Sequence, residues 1–161
     1  MSYSTIGRGS AATPGGAGDA GFGVGFGTPI VTMEGVFPVE YLSPGDRIIT
    51  RTGARRLRAV EVTALNDVEM VRISHDILGQ GRPNTDLIVH PGQPVLIRDW
   101  RAKALYGATQ AMVAAARLVD GEYIRFERIA QMRLFTLRLE GEAVIYAGGL
   151  ELACTPATVN A

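Results

Sequence analysis

Leu87-Ile88-Val89-His90-Pro91-Gly92-Gln93-Pro94-Val95-Leu96-Ile97 sets two β-rich apolar runs on either side of a Pro-Gly pair. Branched aliphatic side chains suit a pleated, buried surface, and Pro-Gly between them is turn chemistry. The segment therefore predicts two short strands joined by a tight turn, with His90 at its mouth. Two earlier segments share this grammar: Gly27-Thr28-Pro29-Ile30-Val31-Thr32 and Leu42-Ser43-Pro44-Gly45-Asp46-Arg47-Ile48-Ile49. Pro44-Gly45 fits a type II turn, proline fixing φ at its second position and glycine supplying the positive φ at its third.

Working outward, strands are expected at Ile30–Thr32, Val36–Val39, Arg47–Arg51, Leu57–Val62, Val68–Ile73, Leu87–Val89, Pro94–Arg98, Tyr123–Arg125, Leu134–Leu139 and Ala143–Ala147. Turn signals recur every 8–12 residues or so, the spacing of an all-β fold of short strands and hairpins. Ala102–Leu118 is alanine-rich and favours helix intrinsically; we read it as a strand followed by one helical turn. Residues 1–27 hold nine of the 20 glycines and little that could fill a core. Such a stretch does not offset the entropy of ordering itself, so residues 1–22 read as a flexible Gly-rich arm. Within Gly21–Gly27, however, Phe22, Val24 and Phe26 alternate with glycine and would share one face of an extended strand, a candidate partner-binding face.

Composition narrows the function classes. At 161 residues and 17.2 kDa the chain is one domain by size, long enough to bury about 68–70% of its unfolded surface. Sixteen basic residues balance sixteen acidic ones, so no overall field draws in nucleic acid. The basic run Arg51, Arg55, Arg56 and Arg58 straddles an expected hairpin and lacks the interleaved aromatics of a nucleic-acid platform. Cys154 is the single cysteine, which excludes an intrachain disulfide and a cysteine-rich zinc site. His75, in Ser74-His75-Asp76, and His90 are too isolated in the chain to read as a metal site, and no cofactor is expected. No secretory leader and no run of 18 apolar residues is present, so the expectation is a cytoplasmic protein without a membrane span.

In order and spacing, Gly27-Thr28, Gly35, Pro38-Val39-Glu40, Leu42-Ser43-Pro44-Gly45-Asp46-Arg47-Ile48, Leu137-x-Leu139 and Val144-Ile145-Tyr146-Ala147-Gly148-Gly149-Leu150-Glu151 resemble the Hint (Hedgehog/intein) domain, in the subgroup found in alphaproteobacterial proteins. The resemblance spans about residues 23–152 and leaves 153–161 as a tail. It implies an all-β fold. It also implies self-cleavage by an N–S or N–O acyl shift: a Cys or Ser at the domain's first position attacks, and a Thr-x-x-His element holds and protonates the scissile amide. In this chain the nucleophile position falls at Gly23, which carries no side chain. The Thr-x-x-His element reads His90-Pro91-Gly92-Gln93, and glutamine does not exchange a proton near neutral pH. A histidine that some relatives carry in a late strand is Thr136. Three such losses, at positions that act as a unit, are each expected to remove turnover.

The resemblance thus implies no working catalytic residue. The expected role is a structural or protein-binding module in a larger assembly, with a protein partner and neither nucleic acid nor membrane. The competing reading is a divergent autoprocessing domain that uses Thr28 or His90 to release its N-terminal arm. Thr28 also fits a structural threonine opening a strand, and His90 a structural histidine. Cys154 has no activating base near it in sequence and reads as buried or incidental.

Overall fold

A computed structural model describes residues 22–154, which form antiparallel β-structure with one short α-helix. The strands are β1 Val24–Gly25, β2 Pro29–Thr32, β3 Gly35–Pro38, β4 Arg47–Thr50, β5 Gly53–Ile73, β6 Leu87–Val89 and β7 Pro94–Ile97. They continue with β8 Ala111–Ala114, β9 Ile124–Leu139, β10 Ala143–Ala147 and β11 Leu150–Cys154; helix α1 is Trp100–Tyr106. Hydrogen-bonded neighbours run β6-β1-β9-β5-β4-β2-β10-β11-β7-β8, with β3 on the outer edge of β2.

The turns behave as their residues dictate. Asp46 N donates to Ser43 O (3.1 Å), Gly45 takes φ 102°, and the Asp46 carboxylate accepts from Ser43 N (2.9 Å). This turn delivers the chain into β4, whose hairpin with β5 pairs Arg47 with Arg56 and Thr50 with Gly53. The arginines of the basic run disperse there. Arg51 meets Glu151 (3.7 Å), Arg58 meets Glu140 (3.8 Å), and Arg55 donates to the Thr52 hydroxyl (3.0 Å).

Three expectations give way. Leu57–Val62 and Val68–Ile73 are not separate strands but parts of the 21-residue β5. Tyr123–Arg125 and Leu134–Leu139 likewise merge into the 16-residue β9, which begins at Ile124. The two pair from Leu57↔Leu139 to Ile73↔Ile124, broken by one register shift between Leu57 and Ala59. Their central parts are mostly exposed, so no hydrophobic alternation marks them as strand; the cross-strand ladder joins them, and their outward backbone groups face water or side chains such as Arg128, which donates to Asp67 O. The third difference is α1. The expected strand (β8) and helical turn (a 3₁₀ turn at Ala115–Leu118) are present, but a seven-residue helix precedes them. Asp99 caps it by accepting from Arg101 N, and Gly107 closes it at φ 67°, the usual chemistry of both ends.

The core gathers Ile30, Ile48, Leu57, Ile73, Ile97, Ile124, Leu139, Ile145, Leu150 and Leu152, all nearly inaccessible. β11 continues through Ala153 and Cys154, so these residues belong to the sheet and not to a tail. Beyond Phe22, the proposed arm lies outside the described residues. We expect Leu57→Ala to cost about 2–5 kcal/mol, because a fully buried leucine leaves a cavity. Val62→Ala, half-exposed in the middle of β5, should stay within about 0.5 kcal/mol. Urea unfolding monitored by circular dichroism checks both.

Candidate functional site

The Pro91-Gly92 turn forms as its residues predict, with Gln93 N donating to His90 O (2.9 Å). It is braced by the 3₁₀ turn, whose Ala115 N and Ala116 N donate to Gln93 O (2.9 Å) and Pro91 O (2.8 Å). The bracing turns the Gln93 side chain inward, where the residue is 3% exposed. Its amide then makes three hydrogen bonds. Oε1 accepts from Gly23 N (2.8 Å), while Nε2 donates to Ala153 O (2.8 Å) and to Pro94 O (3.0 Å). A single side chain thereby ties the start of the described chain to its last strand.

The other side of that joint comes from β9. Thr136 Oγ1 donates to Phe22 O (2.8 Å). The Phe22–Gly23 peptide is therefore held at both of its polar ends, its carbonyl by a hydroxyl and its N–H by an amide oxygen. Next to it, Gly23 O accepts from His90 N (3.0 Å). A cavity of about 10 Å³, no more than one water's worth, lies among Phe22, Gly23, Gln93, Thr136, Leu152 and Cys154. It is too small for a substrate or cofactor.

The structure thus brings Gly23, Gln93 and Thr136 together, although they lie up to 113 residues apart. His90 adjoins them through its backbone. Its ring faces its own turn, where Nδ1 accepts from Gly92 N (2.9 Å). Burial pushes the imidazole pKa below its usual value, so the neutral form with the proton on Nε2 is the one that fits. Thr28 does not line the cavity. It is buried, and its hydroxyl donates to Gly25 O (2.7 Å) in the turn ahead of β2. Of the three side chains expected to share a partner face, Val24 is a core residue paired on both sides, with Val89 and Phe135. Phe22 is half-buried beside the cavity. Only Phe26, 61% exposed, faces water, with Arg133 5.4 Å from its ring centre.

Among the cavity residues not legible in sequence as part of the site is Cys154, brought in by the pairing of β11 with β10 and β7. Burial pushes its thiol up to about 12, against the opposing pull of Arg138. A thiol that stays protonated is a poor nucleophile. His75 lies elsewhere, with Nδ1 2.9 Å from Asp86. Its hydrogen-bond partner is thus Asp86 and not the adjacent Asp76; the Asp86 hydrogen bond and charge, with a smaller contribution from the Asp76 charge, raise the exposed imidazole's pKa. Among the described residues no three His, Cys, Asp or Glu side chains gather as metal ligands.

The Hint domain family model matches residues 24–154, most of the chain. The chain belongs to the Hint domain family. Solved structures with the same fold include the bacterial intein-like domain from Clostridium thermocellum, at 16% identity and a TM-score of 0.60 over 83% of this chain and 97% of that one. The TvoVMA intein aligns at 14% identity and TM-score 0.59, covering 83% of this chain and 97% of its own. The gp41-1 intein aligns at 15% and 0.55, covering 83% and 98%. No curated protein matches the sequence. At these identities the structural likeness establishes the Hint fold alone.

Two predictions concern the joint. Gln93→Leu should destabilise this Hint domain by about 2–6 kcal/mol, since it removes the side-chain partners of Gly23 N and Ala153 O at about 1–3 kcal/mol each. The pH dependence follows from His90. Its folded pKa is depressed, so the unfolded state binds the proton more readily, and stability is lost as pH falls through about 6.5 toward the folded value. His90→Asn keeps an acceptor for Gly92 N, as in an Asx turn, but cannot titrate. Melting curves from about pH 7.5 down to about pH 5.5 should show a smaller acid loss in this variant. The exposed His75–Asp86 pair works in the opposite direction, its contribution fading as pH rises, but screening keeps it weak.

Proposed function

We propose that this Hint domain does not cleave itself and serves as a structural, protein-binding module of a larger assembly. One observation carries the proposal. The Phe22–Gly23 peptide is gripped by Thr136 and Gln93, yet residue 23 has no side chain to attack with. Neither gripping group exchanges a proton near pH 7. An acyl shift needs a nucleophile and a proton for the departing nitrogen, and the arrangement supplies neither. What it supplies is a fixed joint between the incoming segment and β11.

The binding role draws support from the surface. Among the described residues β3 pairs only with β2, leaving its other edge without a strand there. Around it Met33, Val36, Phe37 and Tyr41 are 54%, 59%, 37% and 71% exposed. A free strand edge beside apolar side chains suits strand addition by a protein partner. Balanced charge supports a protein partner over nucleic acid, and no helix among the described residues is long and apolar enough to cross a membrane.

The alternative is autoprocessing that releases the N-terminal arm. In its favour, the Phe22 carbonyl already accepts a hydroxyl hydrogen bond and Cys154 lines the same cavity. The raised pKa of that thiol weighs against it. Intact-mass measurement of the purified chain, incubated with dithiothreitol or hydroxylamine, decides between the two. The full-length mass should persist. A product beginning at Gly23 and lost in Cys154→Ala or Thr136→Val would establish the alternative. Deleting residues 1–21 should weaken recovery of the partner while leaving the domain's melting temperature unchanged; undiminished recovery would remove the arm from the binding role.

A further inference from the structure

Gly23 and Leu134 compete for one volume. β1 and β9 are antiparallel, with Val24 opposite Phe135 and Gly25 opposite Leu134. Alternation places Leu134 on the same face of β9 as Thr136, the residue that holds the Phe22 carbonyl. A Cβ added at Gly23 would lie 2.6 Å from Leu134 Cγ, 2.8 Å from Cδ1 and 2.9 Å from Cδ2. All three distances are below contact, and they involve the whole branch of the side chain and not merely its tip. Leu134 has little room to yield. It is 5% exposed, and its backbone is paired with Gly25 on one side and Thr63 on the other.

The place matters chemically. A nucleophile carried on Cβ of residue 23 is the group of the chain best placed to reach the Phe22 carbonyl carbon, because its attack closes a five-membered ring. We infer that Leu134 is a specificity-determining residue: it excludes every side chain from position 23, so the gripped Phe22–Gly23 peptide stays closed to attack even when a nucleophile is written into the sequence there. The inference rests on the reading that this peptide is the bond an active domain of this family would break. It adds that glycine at 23 is a requirement of the packing and not a simple vacancy. Restoring a thiol at that position is therefore insufficient by itself.

The test compares two proteins that differ only at Leu134: Gly23→Cys with Gln93→His, and the same pair with Leu134→Ala. In each, the introduced sulfur would add to the Phe22 carbonyl carbon and lose its proton to solvent. The carbon–nitrogen bond then breaks as the introduced imidazole protonates the nitrogen, leaving a thioester. Added dithiothreitol attacks that thioester, releasing residues 1–22 as its own thioester and regenerating the thiol. Mass spectrometry should find cleavage after Phe22 at least about tenfold faster in the protein carrying Leu134→Ala. Equal rates in two folded proteins would overturn the inference.

A second measurement does not depend on cleavage. Melting temperatures are compared for Gly23→Ala, Leu134→Ala and the double variant. Leu134→Ala should lower the melting temperature in the parent protein and restore part of it in the Gly23→Ala background. No recovery would place the cost in the backbone of Gly23, whose φ is 155°, and would overturn the steric account. Cleavage of the unmodified chain would instead defeat the non-cleaving reading while leaving this cycle interpretable.

Discussion

The ladder between β5 and β9 is the constraint on which the rest of the domain depends. It runs from Leu57↔Leu139 to Ile73↔Ile124. One end of β5 pairs with β4 and the other with β6, so this single strand links both parts of the sheet. β9 is paired with β5 along its length and with β1 at Leu134 and Phe135. Leu134 through Leu139 are buried without interruption. Leu134 and Phe135 are paired on both edges, and Thr136 is held by β5 on one side and by its bond to Phe22 O on the other, which is why the hydroxyl of Thr136 and the branch of Leu134 act as fixed groups against the Phe22–Gly23 peptide.

That dependence explains which parts of the molecule the sequence made legible. Pro44-Gly45-Asp46 and Pro91-Gly92 announce themselves because proline and glycine restrict or permit particular dihedral angles locally, and both turns formed. The buried ends of the long strands were readable because burial leaves an apolar pattern. Their exposed centres were not, since a two-stranded ribbon in water is held by backbone hydrogen bonds to which any residue contributes. Helix α1 had its signals in Asp99 and Gly107, but a seven-residue helix is too short for a periodic face to stand out. At the site, Gly23, Gln93 and Thr136 were legible only through family resemblance. Cys154 and Leu134 were not, because membership in the site is a matter of register between strands far apart in the chain. Phe22, Val24 and Phe26 do not share one strand face: β1 holds only Val24–Gly25 and Phe26 lies in the turn after it. The glycines between them let β1 lie close against β9, which draws Val24 into the core.

The chemistry of the joint follows from what one side chain can offer. Gly23 N needs an acceptor and Ala153 O needs a donor, and the gap between them is closed by a single buried group. A carboxamide presents both at once and does so at every pH, because neither of its ends titrates in the accessible range. A neutral imidazole also presents one of each, but buried as Gln93 is, it would meet a desolvation cost on gaining a proton and would then have no acceptor left. Glutamine therefore trades proton transfer for permanence. Leu134 fills with hydrocarbon the volume a side chain on residue 23 would need. Both side chains thus act on the peptide through which the chain enters the domain, Gln93 on its N–H and Leu134 on the space beside its α-carbon.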